Sequence, residues 1–187
     1  SVYTPGDDLV QAEVVVNVNG FNMPVYRSQP KGDGPFPVVL VLSEVFGVHE
    51  YIVDVTRRFA KLGYMALAPE LFMRHGDAQG YAAMADLFKE VINKVRDEQV
   101  MADLDAVVAW AGQNGGDINR LGVTGFCWGG RQVWLYAAHQ PKVKAAVAWY
   151  GRLVGDVSKR TPKHPINVAA FLNAPVLGLY GGADTGI

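Results

Sequence analysis

The chain has 187 residues, half of them hydrophobic and 11% aromatic, with 17 Lys and Arg against 18 Asp and Glu. That balance gives no electrostatic basis for a nucleic-acid or membrane partner, and no apolar run approaches the ~20 residues of a bilayer span. A single cysteine, Cys127, excludes an internal disulfide and fits a reducing, cytoplasmic compartment. Because the chain begins at Ser1 rather than Met, a removed leader stays open.

In chain order, "VVVNVNGFNMPVY" reads as a hairpin turning at Asn19-Gly20, a pair suited to the positive φ of two-residue turns. "FPVVLVLSE" is a continuous apolar run, as expected of a strand covered on both faces. The next segment places Ile52, Val55, Phe59 and Leu62 on one helical face, and Gly63 closes it. "YMALAPE" is a second buried strand, followed by helical patterns over Tyr81–Val95 and Glu98–Ala111. Strand "RLGVTGF", helix "RQVWLYAAHQ", strand "KAAVAWYG" and strand "PVLGLYGG" complete the order. Strands alternating with helices after an opening hairpin predict a mostly parallel, doubly wound α/β sheet. We expect one domain over residues 1–187, burying roughly 70% of its unfolded surface.

In open sheets of this kind, chemistry collects at the carboxyl ends of the strands. Glu44, Cys127 and Asp184 all fall there. Cys127 lies in "VTGFCWGG", where Gly125, Gly129 and Gly130 leave room for a sharp strand-to-helix turn. A buried structural cysteine needs no such glycines, and the helix that begins at the thiol points its positive end at the sulfur. The competing reading is a small buried hydrophobe. Asp184 after two glycines also suits an ordinary turn, and Glu44 could simply accept loop N–H groups.

Together, "GFCWGG", "SEVFGVHEYI…RRFAKLGYMALAPELF" and "YGGAD" resemble the dienelactone hydrolases, the cysteine branch of the α/β-hydrolase fold, from about Val14 onward. The resemblance implies Cys127 as nucleophile, Asp184 as the acid that orients a catalytic histidine, and Glu44 as a carboxylate touching the resting thiol. It implies an oxyanion hole from the backbone N–H groups of Val45 and Trp128. The expected substrate is a small ester or lactone, attacked by the thiolate and released from a thioester by water. Glu44 would keep the thiol unreactive until substrate displaces it. The pocket is expected to be lined by Phe46, Phe72, Trp128 and Tyr150, with a monomer or dimer as the assembly.

Two features depart from the family pattern. The helix after "PELF" lacks the family's substrate-reading arginine and tyrosine, so Arg74 or Arg152 would have to supply a cation. The catalytic histidine is expected after one more strand, beyond Ile187, with a final strand and helix of the family likewise not found in this sequence. His49, His75, His139 and His164 all precede Asp184; His49 is expected to be a first-turn residue and a weak substitute base. No zinc spacing, phosphate loop or dinucleotide fingerprint appears, so neither metal nor cofactor is expected. Other readings are a different cysteine-elbow enzyme, amidotransferase-like or thiol-redox, and a non-catalytic or incomplete α/β-hydrolase module.

Overall fold

The structure, a computed structural model, describes residues 2–187. Seven strands form one sheet: β1 (Leu9–Val18), β2 (Phe21–Pro30), β3 (Phe36–Leu42), β4 (Met65–Pro69), β5 (Gly116–Phe126), β6 (Val143–Trp149) and β7 (Val176–Leu179). Their spatial order is β1-β2-β4-β3-β5-β6-β7. The first two strands pair antiparallel, β2 also runs antiparallel to β4, and all later pairings are parallel. The hairpin turns as expected, with Asn19 at φ 49 and Gly20 at φ 91.

Five helices cover the sheet: α1 (Glu50–Lys61), α2 (Met84–Glu90), α3 (Asp97–Gln113), α4 (Trp128–His139) and the short α5 (Pro165–Val168). The run "VVLVL" in β3 is continuously apolar because its two faces meet different layers. Val39 and Val41 pack with Ile52 and Val55 of α1. Val38, Leu40 and Leu42 join the larger core with Leu104 and Val107 of α3 and Val133 of α4. Alternate side chains of a strand point to opposite faces, so helices on both sides demand apolar residues at every position.

Three local expectations change. Leu62 lies outside the buried face of α1: it caps the helix and is exposed, while Gly63 takes the positive φ that ends it. The helical pattern over Tyr81–Val95 resolves into α2 and a 3-10 turn at Ile92–Lys94, and β5 starts earlier, at Gly116.

The strand order decides where the site forms. From β3 the chain crosses to β4 on one side, then returns to place β5 on the other. The carboxyl ends of β3 and β5 therefore flank the switch point, where a crevice opens between connections that leave in opposite directions.

Candidate active site

Leu42 pairs with Gly125 across β3 and β5, so Glu44 and Cys127 each stand two residues beyond paired strand positions. Asp184 follows β7, which runs parallel to β6 and β5, and thus emerges at the same edge of the sheet.

Cys127 occupies φ 56, ψ −115 as the N-cap of α4, and its side chain makes no capping hydrogen bond. The thiol is exposed. A non-glycine residue at positive φ costs about 1–3 kcal/mol and persists only where its surroundings enforce it. Here the backbone is held on both sides: the Cys127 N–H donates to Trp149 O at 2.9 Å, and its carbonyl accepts from the Arg131 N–H at 3.0 Å. The glycines are required by contact. A Cβ at Gly129 would sit 2.5 Å from the carbonyl oxygens of Leu42 and Ser43. At Gly125 it would lie 2.6 Å from Gly129 O, and at Gly130 it would lie 2.5 Å from Trp149 O. All of these obstacles are backbone atoms that cannot rotate away. The expected elbow is present, and it presents sulfur rather than burying it.

Next to the thiol, the N–H groups of Val45 and Trp128 take part in none of the hydrogen bonds found among the described residues. Val45 lies in the loop after β3 and Trp128 opens α4, and both residues border the same pocket as Cys127. Glu44 makes its hydrogen bond elsewhere than expected: its Oε1 accepts from His49 Nε2 at 2.8 Å, and no bond to Cys127 occurs among the described residues. His49, expected in the first turn of a helix, is instead the N-cap of α1 immediately before it, with Nδ1 accepting from the Tyr51 N–H at 3.3 Å.

Glu70, at the end of β4, pins the same loop from behind by accepting the Val48 N–H at 3.1 Å. The strand-end rule that singled out Glu44 could equally have found it. Burial pushes the Glu70 carboxyl above the usual range, helped by the negative charges of Asp77 and Glu13. The folded state therefore holds this proton more tightly than the unfolded chain. The favourable contribution is complete below the unfolded value of about 4.3 and is lost as pH rises through the folded one. Glu70→Gln keeps the acceptor for Val48 and removes that loss. The variant should melt higher than the parent at pH 7, with the difference vanishing near ~pH 4; equal melting temperatures at both pH values would show that Glu70 is solvated.

A cleft of about 650 Å³ opens beside Cys127 and is bordered by Val45, Trp128, Tyr150 and Arg152. Two expected pocket residues are placed elsewhere. Phe72 is buried behind Trp128, ring centroids 4.5 Å apart, and Phe46 is exposed outside the lining. Tyr150 takes φ 40 after β6 and donates its N–H to Leu179 O at 2.8 Å. Burial, with the negative charge available to Cys127 and Glu44, pushes its phenol above the usual range, so it stays a protonated donor at neutral pH. Arg74 is occupied structurally, gripping Asp103 through two 3.0 Å bonds and lying over the Phe21 ring. Arg152 is exposed and lines the cleft.

The outer wall is the long connection from Gly151 to His164. His164, expected in an exposed loop, is buried. Its Nε2 donates to Asp156 O at 2.8 Å and its Nδ1 accepts from Arg131 Nε at 3.3 Å. Arg131 in turn grips Asp97 through bonds of 2.8 and 2.7 Å and also donates to Lys163 O. Sequence reasoning missed this cluster, since no local spacing links residues more than thirty positions apart.

Asp184 accepts the Gly186 N–H at 2.9 Å within its own turn. No histidine bonds to it among the described residues: His49 faces Glu44, His139 binds Asp105 at 2.6 Å, and His164 is engaged with Arg131.

A mostly parallel sheet with a strained cysteine turn at its switch point, backed by glycines and bordered by two N–H groups without a partner among the described residues, defines the α/β-hydrolase class. The family model described as "Dienelactone hydrolase family" matches residues 23–187. The chain belongs to that family, whose members hydrolyse ester or lactone bonds. It is 55% identical over 187 residues to a protein of Escherichia coli strain K12 named "Putative carboxymethylenebutenolidase", covering all of this chain and 69% of that one. A crystal structure from Klebsiella pneumoniae, titled as a dienelactone hydrolase of putative assignment, superposes with a TM-score of 0.93 at 56% identity, covering 96% of this chain and 75% of that one. A Bradyrhizobium protein named "Probable 2-oxo-3-(5-oxofuran-2-ylidene)propanoate lactonase" is 30% identical over 175 residues, covering 91% of this chain and 68% of that one.

Proposed function

We propose that this chain cleaves an ester or lactone by covalent catalysis on Cys127. The observation that carries the reading is the exposed thiol at φ 56, held by glycines whose replacement would collide with backbone. Sulfur adds to the substrate carbonyl, and the negative oxygen so formed is received by the N–H groups of Val45 and Trp128. These donors stabilise charge that exists only in the tetrahedral intermediate, where binding lowers the barrier. The carbon–oxygen bond to the leaving alcohol then breaks, the alcohol takes up the thiol's proton, and a thioester remains on Cys127. Water cleaves that thioester in the second half-reaction. In a lactone the leaving alcohol stays attached to the acyl group, so a single ring-opened hydroxy acid is released.

Asp184 stands at the edge where the acid partner of a histidine belongs, which supports its assigned role. Because no histidine bonds to Asp184 among the described residues, acylation should outrun deacylation in this state. General-base assistance of the second step is typically worth 10²–10⁴-fold.

The name of the Bradyrhizobium relative favours a lactone among the substrate classes. With Arg74 bound to Asp103, Arg152 is the expected cation for any substrate anion. We expect neutral short esters to acylate Cys127 at least as fast as anionic ones. Mixing the chain with p-nitrophenyl acetate should release a burst of about one equivalent of nitrophenolate and leave an acetyl group on Cys127 by peptide mass. Sustained turnover without an acyl adduct would overturn the covalent assignment. A strong preference for an anionic ester, lost in Arg152→Ala, would overturn the neutral-substrate reading.

A further inference from the structure

We propose that His49 is a positioning residue for the thiol: it holds the Glu44 carboxylate away from Cys127 and so keeps the sulfur reactive. The inference rests on the reading of Cys127 as nucleophile, and adds a residue to which the family comparison assigns no role.

The geometry defines both the direction and the proton count. His49 Nδ1 is taken by the Tyr51 N–H, which makes that nitrogen an acceptor. The proton of the neutral ring is therefore on Nε2, directed at Glu44 Oε1 2.8 Å away. One end of the imidazole is fixed by a helix terminus, and the other presents a single donor to the carboxylate. The pair is partly shielded, with side-chain exposures of 30% for His49 and 17% for Glu44. At that exposure an N–H···carboxylate bond is screened less than on open surface, and a charge-assisted bond is stronger than a neutral one.

Position makes the bond consequential. Glu44 and Cys127 leave adjacent parallel strands in register, and both lie close enough to Tyr150 to act on its phenol. A carboxylate that turned to the sulfur would favour the protonated thiol, since like charges cannot share so small a space cheaply. His49 competes for that carboxylate. The remaining groups around the pair are Glu70 behind the loop, Tyr51 on α1, and Tyr150, Arg152 and Arg131 across the crevice, while Glu50 is turned to Arg57. Of the two cations across the crevice, Arg131 is held by Asp97 and Lys163, and Arg152 makes no bond to Glu44 among the described residues.

The test measures alkylation of Cys127 by iodoacetamide at pH 7, a reaction that needs no turnover. His49→Ala should slow alkylation about tenfold, the effect of one carboxylate moving beside a thiol. His49→Gln should restore most of the rate, because its amide can donate to Glu44. In the Glu44→Gln background, replacing His49 should have almost no further effect, since the charge it restrains is gone. Loss of the helix cap lowers thermal stability in both backgrounds alike, so a structural effect shows in melting and not in this coupling.

Unchanged alkylation in His49→Ala, or an equal slowing with and without Glu44, would overturn the proposal. Failure of the nucleophile reading shows separately, as ester hydrolysis that survives in Cys127→Ala while the alkylation coupling is still present.

Discussion

Cys127→Ala should lose at least about 10³-fold in the rate of nitrophenolate release from p-nitrophenyl acetate, the scale expected when a covalent nucleophile is deleted. The loss follows from removing the only atom at the elbow that can form the thioester. Residual activity is expected from the proposed oxyanion hole, the N–H groups of Val45 and Trp128, which would still polarise a bound carbonyl. Stability provides the control. The thiol is exposed and makes no capping bond, so its removal should change the unfolding free energy by no more than about 0.5 kcal/mol. Cys127→Gly should be equally inactive yet more stable by about 1 kcal/mol, because glycine adopts φ 56 without strain. An alanine variant that retains its rate would place the chemistry on another residue. A glycine variant no more stable than alanine would mean that the turn is not strained.

Arg131→Ala should destabilise the fold by about 3–5 kcal/mol, read from urea unfolding. Both Arg131 and Asp97 are about nine-tenths buried, with side-chain exposures of 9% and 11%. Their two short bonds compensate for desolvating both charges. Removing the arginine leaves the Asp97 carboxylate buried with only the Gln132 side-chain amide, at 3.0 Å, as a side-chain donor. That is a large share of the 5–15 kcal/mol that typically holds a domain together. The same change frees His164 and Lys163, so the Gly151–His164 wall should become sensitive to protease and the Michaelis constant should rise more than kcat falls. Replacing both partners, Arg131→Leu with Asp97→Leu, should recover much of the stability, since an apolar pair has no charge to orphan. A loss below about 1 kcal/mol in Arg131→Ala would show that water reaches the pair.

These two expectations come from different kinds of information. Cys127 was legible in the sequence because an elbow is a local device: its strain is created and relieved within a few residues, and glycines must appear beside it. The parallel sheet was legible for a related reason. A strand covered on both faces has no polar face to alternate with, so "FPVVLVL" had to be an interior strand with helices on each side.

The same local reasoning failed where a helix end or a long-range contact reversed a local preference. Leu62 fits the apolar face of α1 by period, yet the helix has already ended there and the side chain meets water. His164 sits between a lysine and a proline, a polar setting by composition, but is buried because Arg131 of α4 and the carbonyl of Asp156 close around it. Phe72 carries the apolar character of a pocket residue but packs behind Trp128 instead of facing the cleft.

The sequence by itself therefore determined the architecture, the exposed cysteine at the elbow, and the strand ends at which Glu44 and Asp184 emerge. Periodicity, glycine spacing and strand-end position act over a few residues and need no knowledge of the rest of the chain. Only the tertiary structure decided what each of these groups touches: that Glu44 binds His49, that Glu70 pins the same loop, and that the cleft wall hangs on Arg131 and Asp97. A hydrogen bond between side chains on separate elements depends on angstrom-scale placement set by the packing of the whole sheet, and no spacing in the chain encodes that distance.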